Sequence, residues 1–236
     1  PVIEEKTGFV FEAIKILKKE LADRVPLIGF SGAPYTLATY MIEGETSRNF
    51  NSIKKWIYRS PDQLHKLLEK ITVTVTDYVR AQIDAGAEAI QFFDTWAGAL
   101  SADEYREFSA PYLRRIIASI RRPGVPVISY VNGGGLFLDQ MVESGADVIS
   151  LDWRVDLKST REKYGKRVAL QGNLDPCALY ADPAVIRREV RKVLEKFGNG
   201  SGHIFNLGHG ILPDTPVENA LAMIRAVHEE SVRFHQ

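Results

Sequence analysis

Two hydrophobic periods take turns along this chain. In some stretches apolar residues recur every three or four positions, and in others they run continuously for a handful of residues, as helices and buried strands do. Val10, Ile14, Leu17 and Leu21 share one helical face. The run from Val25 to Phe30 reads as a strand that enters the loop Ser31 to Pro34. A short helix and the polar loop Glu43 to Ser47 come next, and a helix is predicted from Asn51 to about Tyr58. Ser60 and Pro61 predict another start, with serine as cap and proline in the first turn. That helix lines up Leu64, Leu67, Leu68, Ile71, Val75, Tyr78 and Ile83, and Gly86 ends it.

The same grammar repeats to the C-terminus. Strands are expected at 89–93, 125–130, 147–151, 167–171 and 203–207. Ser101 and Glu104 have capping-box spacing, as do Thr215 and Glu218, with Pro216 at the first helical position. Helices are expected from Leu136 to Ser144, closed by Gly145, and from Leu157 to Tyr164, closed by Gly165. Asp182 and Pro183 open one that runs to about Phe197.

Six strands, each followed by a helix, imply a parallel sheet with helices outside it. An open doubly wound sheet would usually carry a Gly-rich dinucleotide turn after its first strand, and none follows Phe30. A closed barrel needs eight strands and gathers polar and glycine-rich residues after each. The expected fold is therefore α/β, a (β/α)8 TIM-type barrel with six of its eight units present. It forms a single domain over residues 1–236 that lacks an N-terminal part of roughly 60 residues or more.

Composition narrows the chemistry. Thirty basic residues balance thirty acidic ones, so no overall charge draws the chain to nucleic acid or an anionic membrane. No apolar run approaches the ~18 residues of a membrane span. The lone Cys177 excludes an internal disulfide and a cysteine zinc cluster, and fits a reducing compartment. Because the chain begins at Pro1, the true N-terminus and any targeting segment are expected to lie outside it.

Catalytic groups of a barrel project from strand ends and the loops after them. Those positions hold Ser31 to Tyr35, Asp94 to Trp96, Asn132 to Gly135, Asp152 to Arg154, Gly172 to Asp175 and Gly208 to Gly210. They are rich in hydrogen-bonding groups but carry no His-Glu-x-x-His, Walker loop or Gly-x-Ser-x-Gly elbow. They suit the binding and polarising of a small polar molecule without naming the reaction. His209, between two glycines, is either a presented imidazole or an exposed loop residue. Tyr40 fits a buried helical ring as well as a site residue, and Thr95 fits a helix cap. Asp152 and Asp175 read as caps or turn formers, and Trp96 and Trp153 line either a pocket or a packed rim.

Longer segments resemble a known family. Phe30 to Gly44 is similar to the segment that uroporphyrinogen decarboxylases carry after their third barrel strand. Gln171 to Tyr180 and Phe205 to Asp214 resemble the segments after strands seven and eight, and Phe92 to Gly98 and Gly145 to Trp153 match intervening ones. The resemblance implies removal of carbon dioxide from the four acetate side chains of uroporphyrinogen, giving coproporphyrinogen for haem synthesis. It implies no metal and no organic cofactor, because the protonated pyrrole serves as electron sink. Tyr40 is then the catalytic candidate, hydrogen-bonding near the reacting acetate, and Tyr40, Thr95 and His209 are the substrate-binding set. A homodimer in the cytoplasm, with no nucleic-acid or membrane partner, is also implied.

The family's central aspartate and its carboxylate-binding arginines belong to an N-terminal segment that this sequence does not contain. Neither Asp94 nor Arg154 matches them. Three rivals follow. Cobalamin-linked methyltransferases of the same superfamily hold zinc through a His-x-Cys pair, where this chain reads Tyr130 to Gly133 without His or Cys. The others are a barrel binding phosphate through Asn206 to Gly210, and an inactive fragment that associates through exposed strand edges.

Overall fold

Each apolar run expected as a strand becomes one, and every neighbour pair described is parallel. The computed structural model describes residues 2–44 and 50–234; the part of the predicted Glu43–Ser47 loop from 45 onward lies outside them. Two compact units divide the chain, Pro1–Val131 with Leu136–Asp147, and Asn132–Gly135 with Val148–Gln236.

In the first unit β1 (Ile28–Gly32), β2 (Ala89–Asp94) and β3 (Val127–Val131) lie side by side, with Ile28 opposite Ala89 and Ile90 opposite Val127. All of β3 and most of β2 is buried, as expected of parallel strands covered on both faces. Helix α1 (Ile3–Leu21) buries Phe11 and Ile14 against Ala85, with Tyr78 packed alongside. Then come α2 (Pro34–Glu43), α3 (Asn51–Arg59) and α4 (Pro61–Asp84), which buries Leu64, Leu68, Ile71, Val75 and Ile83 of the predicted stripe and also Val79, while the predicted Leu67 and Tyr78 are half-buried. Helices α5 (Ala102–Phe108), α6 (Ala110–Ile120) and α7 (Leu138–Glu143) complete this unit. The second unit holds β4 (Val148–Ser150), α8 (Leu157–Tyr164), β5 (Ala169–Gln171), α9 (Pro183–Phe197), β6 (His203–Ile204) and α10 (Val217–Ser231). Here β4 pairs with β5, and β5 with β6.

The differences from expectation are local. Ser101 makes its capping box: its Oγ accepts from Glu104 N at 3.2 Å, while Glu104 Oε2 accepts from Ser101 N at 2.7 Å. Thr215 does not; the helix starts beyond it with Pro216 as N-cap, and the buried Thr215 hydroxyl finds no partner. Ser60 also makes no side-chain cap, because it closes α3 and opens α4 at once and takes its backbone geometry from that junction. Strand β3 begins at Val127, since Val125 instead pairs back with Arg122 in a tight turn. The ladder of β6 stops at Ile204, and an isolated bridge from Leu174 to Leu207 continues its direction. A 3-10 turn (Gly134–Phe137) replaces the first part of the helix expected at Leu136.

Candidate active site

The chemistry of the first unit collects at the end of β2. Asp94, its last residue, is fully buried and accepts hydrogen bonds from the hydroxyls of Thr36 (2.7 Å) and Ser109. Thr36 Oγ1 in turn accepts from the backbone N–H of Trp96 at 3.1 Å. One carboxylate thus ties α2, the end of β2 and the start of α6 together. Burial pushes the Asp94 carboxyl up to about 6, although the two hydroxyls favour its charge. Burial likewise raises the phenols of Tyr35 and Tyr105, and Asp94 adds to both effects.

Asp94 therefore fixes the position of two predicted site residues. Thr95 follows it directly, half-buried as the first residue of a 3-10 turn (Thr95–Ala99) whose N-cap is Asp94, so Thr95 is not the cap that its sequence allowed. Tyr40 lies on α2, 45% exposed, and not buried as helical spacing alone permitted. Its ring meets Trp96 edge-on at 5.8 Å between centroids. Tyr40 and the Thr95–Trp96 turn are thus brought together.

In the second unit, three strand-end loops meet around Asp152 and Trp153. A Cβ on Gly208 would fall 2.3 Å from Trp153 N, so only glycine allows this approach. Asn173 Nδ2 donates to the carbonyl oxygens of Asp152 and Val155, both at 2.8 Å. The exposed His209 follows Gly208, and its ring faces Trp153 edge-on at 6.4 Å. Asp152, which reads as a cap or turn former in the sequence, is 1% exposed and gathers four N–H donors. These are Gly133 N (2.6 Å), Arg154 N (2.8 Å), Arg154 Nε (3.1 Å) and Arg154 Nη2 (3.0 Å). Asp175 caps a 3-10 turn by accepting from Cys177 N at 2.9 Å. Within the first unit, a cavity of about 650 Å³ lined by Arg121, Arg122 and Asp147 lies at the N-terminal end of β3.

Sequence reasoning missed two features. The Asp94–Thr36–Ser109 contact joins residues up to 58 apart in sequence, and no local pattern announces it. The Asp152–Arg154 pair was visible as neighbouring charges, but the burial of its carboxylate was not.

A parallel β/α chain that collects polar and glycine-rich residues after its strands is an enzyme scaffold of the barrel class. Comparison with known proteins makes this specific. The sequence matches the family described as uroporphyrinogen decarboxylase (URO-D) over residues 1–230. It is 50% identical to a uroporphyrinogen decarboxylase of Hahella chejuensis, over 100% of this chain and 67% of that protein. Against one from Pseudomonas aeruginosa it is 49% identical, with the same coverage of each. The chain belongs to the uroporphyrinogen decarboxylase family and spans about two thirds of the length of these relatives. With the family comes the fold, a parallel β/α barrel of which this chain supplies six βα units. Among solved structures, a methyltransferase from Methanosarcina mazei matches with a TM-score of 0.81 at 27% identity, covering 93% of this chain and 63% of that one. A B12-independent methionine synthase from Shewanella sp. W3-18-1 shares the fold, with a TM-score of 0.66 at 17% identity over 94% of this chain and 65% of that one.

Proposed function

We propose that this chain carries the strand-end residues of a uroporphyrinogen decarboxylase, a carboxy-lyase that removes the four acetate carboxyls of uroporphyrinogen III to leave coproporphyrinogen III. The observation that supports it most is the 50% identity to a uroporphyrinogen decarboxylase along the whole chain. In this reading Tyr40 is catalytic and, with Thr95 and His209, binds substrate. Their groups are hydrogen-bonding partners that hold a carboxylate in place without a metal or organic cofactor. Loss of carbon dioxide leaves an electron pair that the protonated pyrrole accepts, so the protein's part is orientation and electrostatic support. A Trp96 ring against Tyr40 and a backbone anchored through Asp94 give that orientation its rigidity.

The reading extends to a homodimer in the cytoplasm, with no nucleic-acid or membrane partner. The balanced charge favours no nucleic-acid partner, and among the described residues no helix is long and apolar enough to cross a membrane. The test is Tyr40→Phe in an active enzyme, which should slow turnover roughly tenfold or more, about 1.4 kcal/mol of barrier. Unchanged turnover removes Tyr40 from the mechanism. A methyltransferase reading has the likeness to the Methanosarcina mazei structure in its favour. Stoichiometric zinc in the purified protein would support it over the decarboxylase.

A further inference from the structure

The buried Asp152 has a role to explain. A carboxylate taken out of water needs donors, and two backbone N–H groups, those of Gly133 and Arg154, already supply charge-stabilising bonds. The Arg154 side chain adds two more, and its Nη2 also donates to Asn132 Oδ1 at 2.7 Å. The guanidinium carbon stands 4.9 Å from the centroid of the Trp153 ring, which on its own account meets His209. Burial of the carboxylate does not extend to its counter-ion. The Arg154 side chain is instead 54% exposed, while Asp152 is 1% exposed.

We propose that Arg154 is a further substrate-binding residue, its guanidinium receiving a carboxylate of the ligand beside His209. The inference rests on the decarboxylase reading and adds to it a cation that the resemblance does not assign. A planar guanidinium pairs with carboxylate through charge-assisted, directional bonds, and a polycarboxylate tetrapyrrole is the ligand class such a fork selects. Asp152, Asn132 and Trp153 hold the fork in one orientation before the ligand arrives, so less side-chain freedom is lost on binding. The close approach of Gly208 to Trp153 keeps His209 next to it.

The test uses this chain joined to the part of the Hahella chejuensis relative that it does not span, and uroporphyrin, the stable oxidised form of the eight-carboxylate substrate, with binding followed by quenching of tryptophan fluorescence. Arg154→Gln should raise Kd about tenfold and flatten the fall of affinity with added salt. Arg154→Lys, which keeps charge but not the fork, should lie between, and Arg188→Gln on the exposed face of α9 should match wild type. Equal affinity and equal salt dependence of Arg154→Gln and wild type would overturn the inference, leaving Arg154 with a structural role and the decarboxylase reading intact. No uroporphyrin binding by the unaltered chimera would bring down the decarboxylase reading and this inference with it. Should Arg154→Gln fail to fold, Arg154→Lys decides, and wild-type affinity in that variant overturns the inference.

Discussion

Replacing Asp94 by Asn tests the account of the first unit through pH. An unfolded aspartate ionises near 3.8, whereas burial sets folded Asp94 to about 6. Between those values the folded chain keeps a proton that the unfolded chain has lost. Stability therefore falls as pH rises, by about 1.4 kcal/mol per pH unit, and the whole loss is about 3 kcal/mol. Below the unfolded value both states are protonated and the group adds no slope; above about 6 both are ionised and the loss is complete. Asparagine keeps an acceptor for Thr36 and can donate to the Ser109 oxygen, so shape and hydrogen bonding survive while the titration disappears. Urea unfolding of both proteins from about pH 4 to about pH 6.5 should show Asp94→Asn gaining about 3 kcal/mol on wild type, superimposed on any constant offset. Parallel stability profiles would refute the claim that the Asp94 charge is buried at a cost.

Other perturbations probe separate contacts. Gly208→Ala forces a Cβ onto the backbone of Trp153 and should cost about 1–3 kcal/mol in urea unfolding, with weaker uroporphyrin binding as the His209 loop moves; stability within about 0.5 kcal/mol of wild type would contradict the close approach. At Glu104, burial opposes the charge, but hydrogen bonds from Lys54, Ser101 N and Tyr58 outweigh it and hold the carboxyl at about 2. Its contribution is present above the unfolded value of 4.5 and is lost as pH falls towards 2, so Glu104→Gln should be less stable at neutral pH and lose less on acidification. Equal acid sensitivity of the two proteins in urea unfolding would remove Glu104 from the link between α3 and α5.

Much of the fold was legible because periodicity reports burial, and burial decides whether a segment becomes strand or helix. The stripe from Leu64 to Ile83 is a helical face in both sequence and structure. Boundaries were less legible, because they depend on what a cap touches. Ser101 and Thr215 share one spacing, yet only Ser101 completes its box, since proline stands between Thr215 and the first helical residue. At the candidate site, residue types were readable and environments were not. Thr95 directly follows β2, Tyr40 lies on α2 and His209 lies in the loop beyond β6, but the burial of Asp94 and Asp152 comes from distant segments such as Thr36, Ser109 and Gly133.

The most direct measurement is turnover in a chimera that joins this chain to the part of the Hahella chejuensis relative it does not span. Products formed from uroporphyrinogen III under anaerobic conditions would be oxidised and separated by carboxylate number. The account predicts stepwise loss of four carboxyls to coproporphyrin, slowed about tenfold or more by Tyr40→Phe. A folded chimera that binds uroporphyrin but releases no carbon dioxide would contradict it.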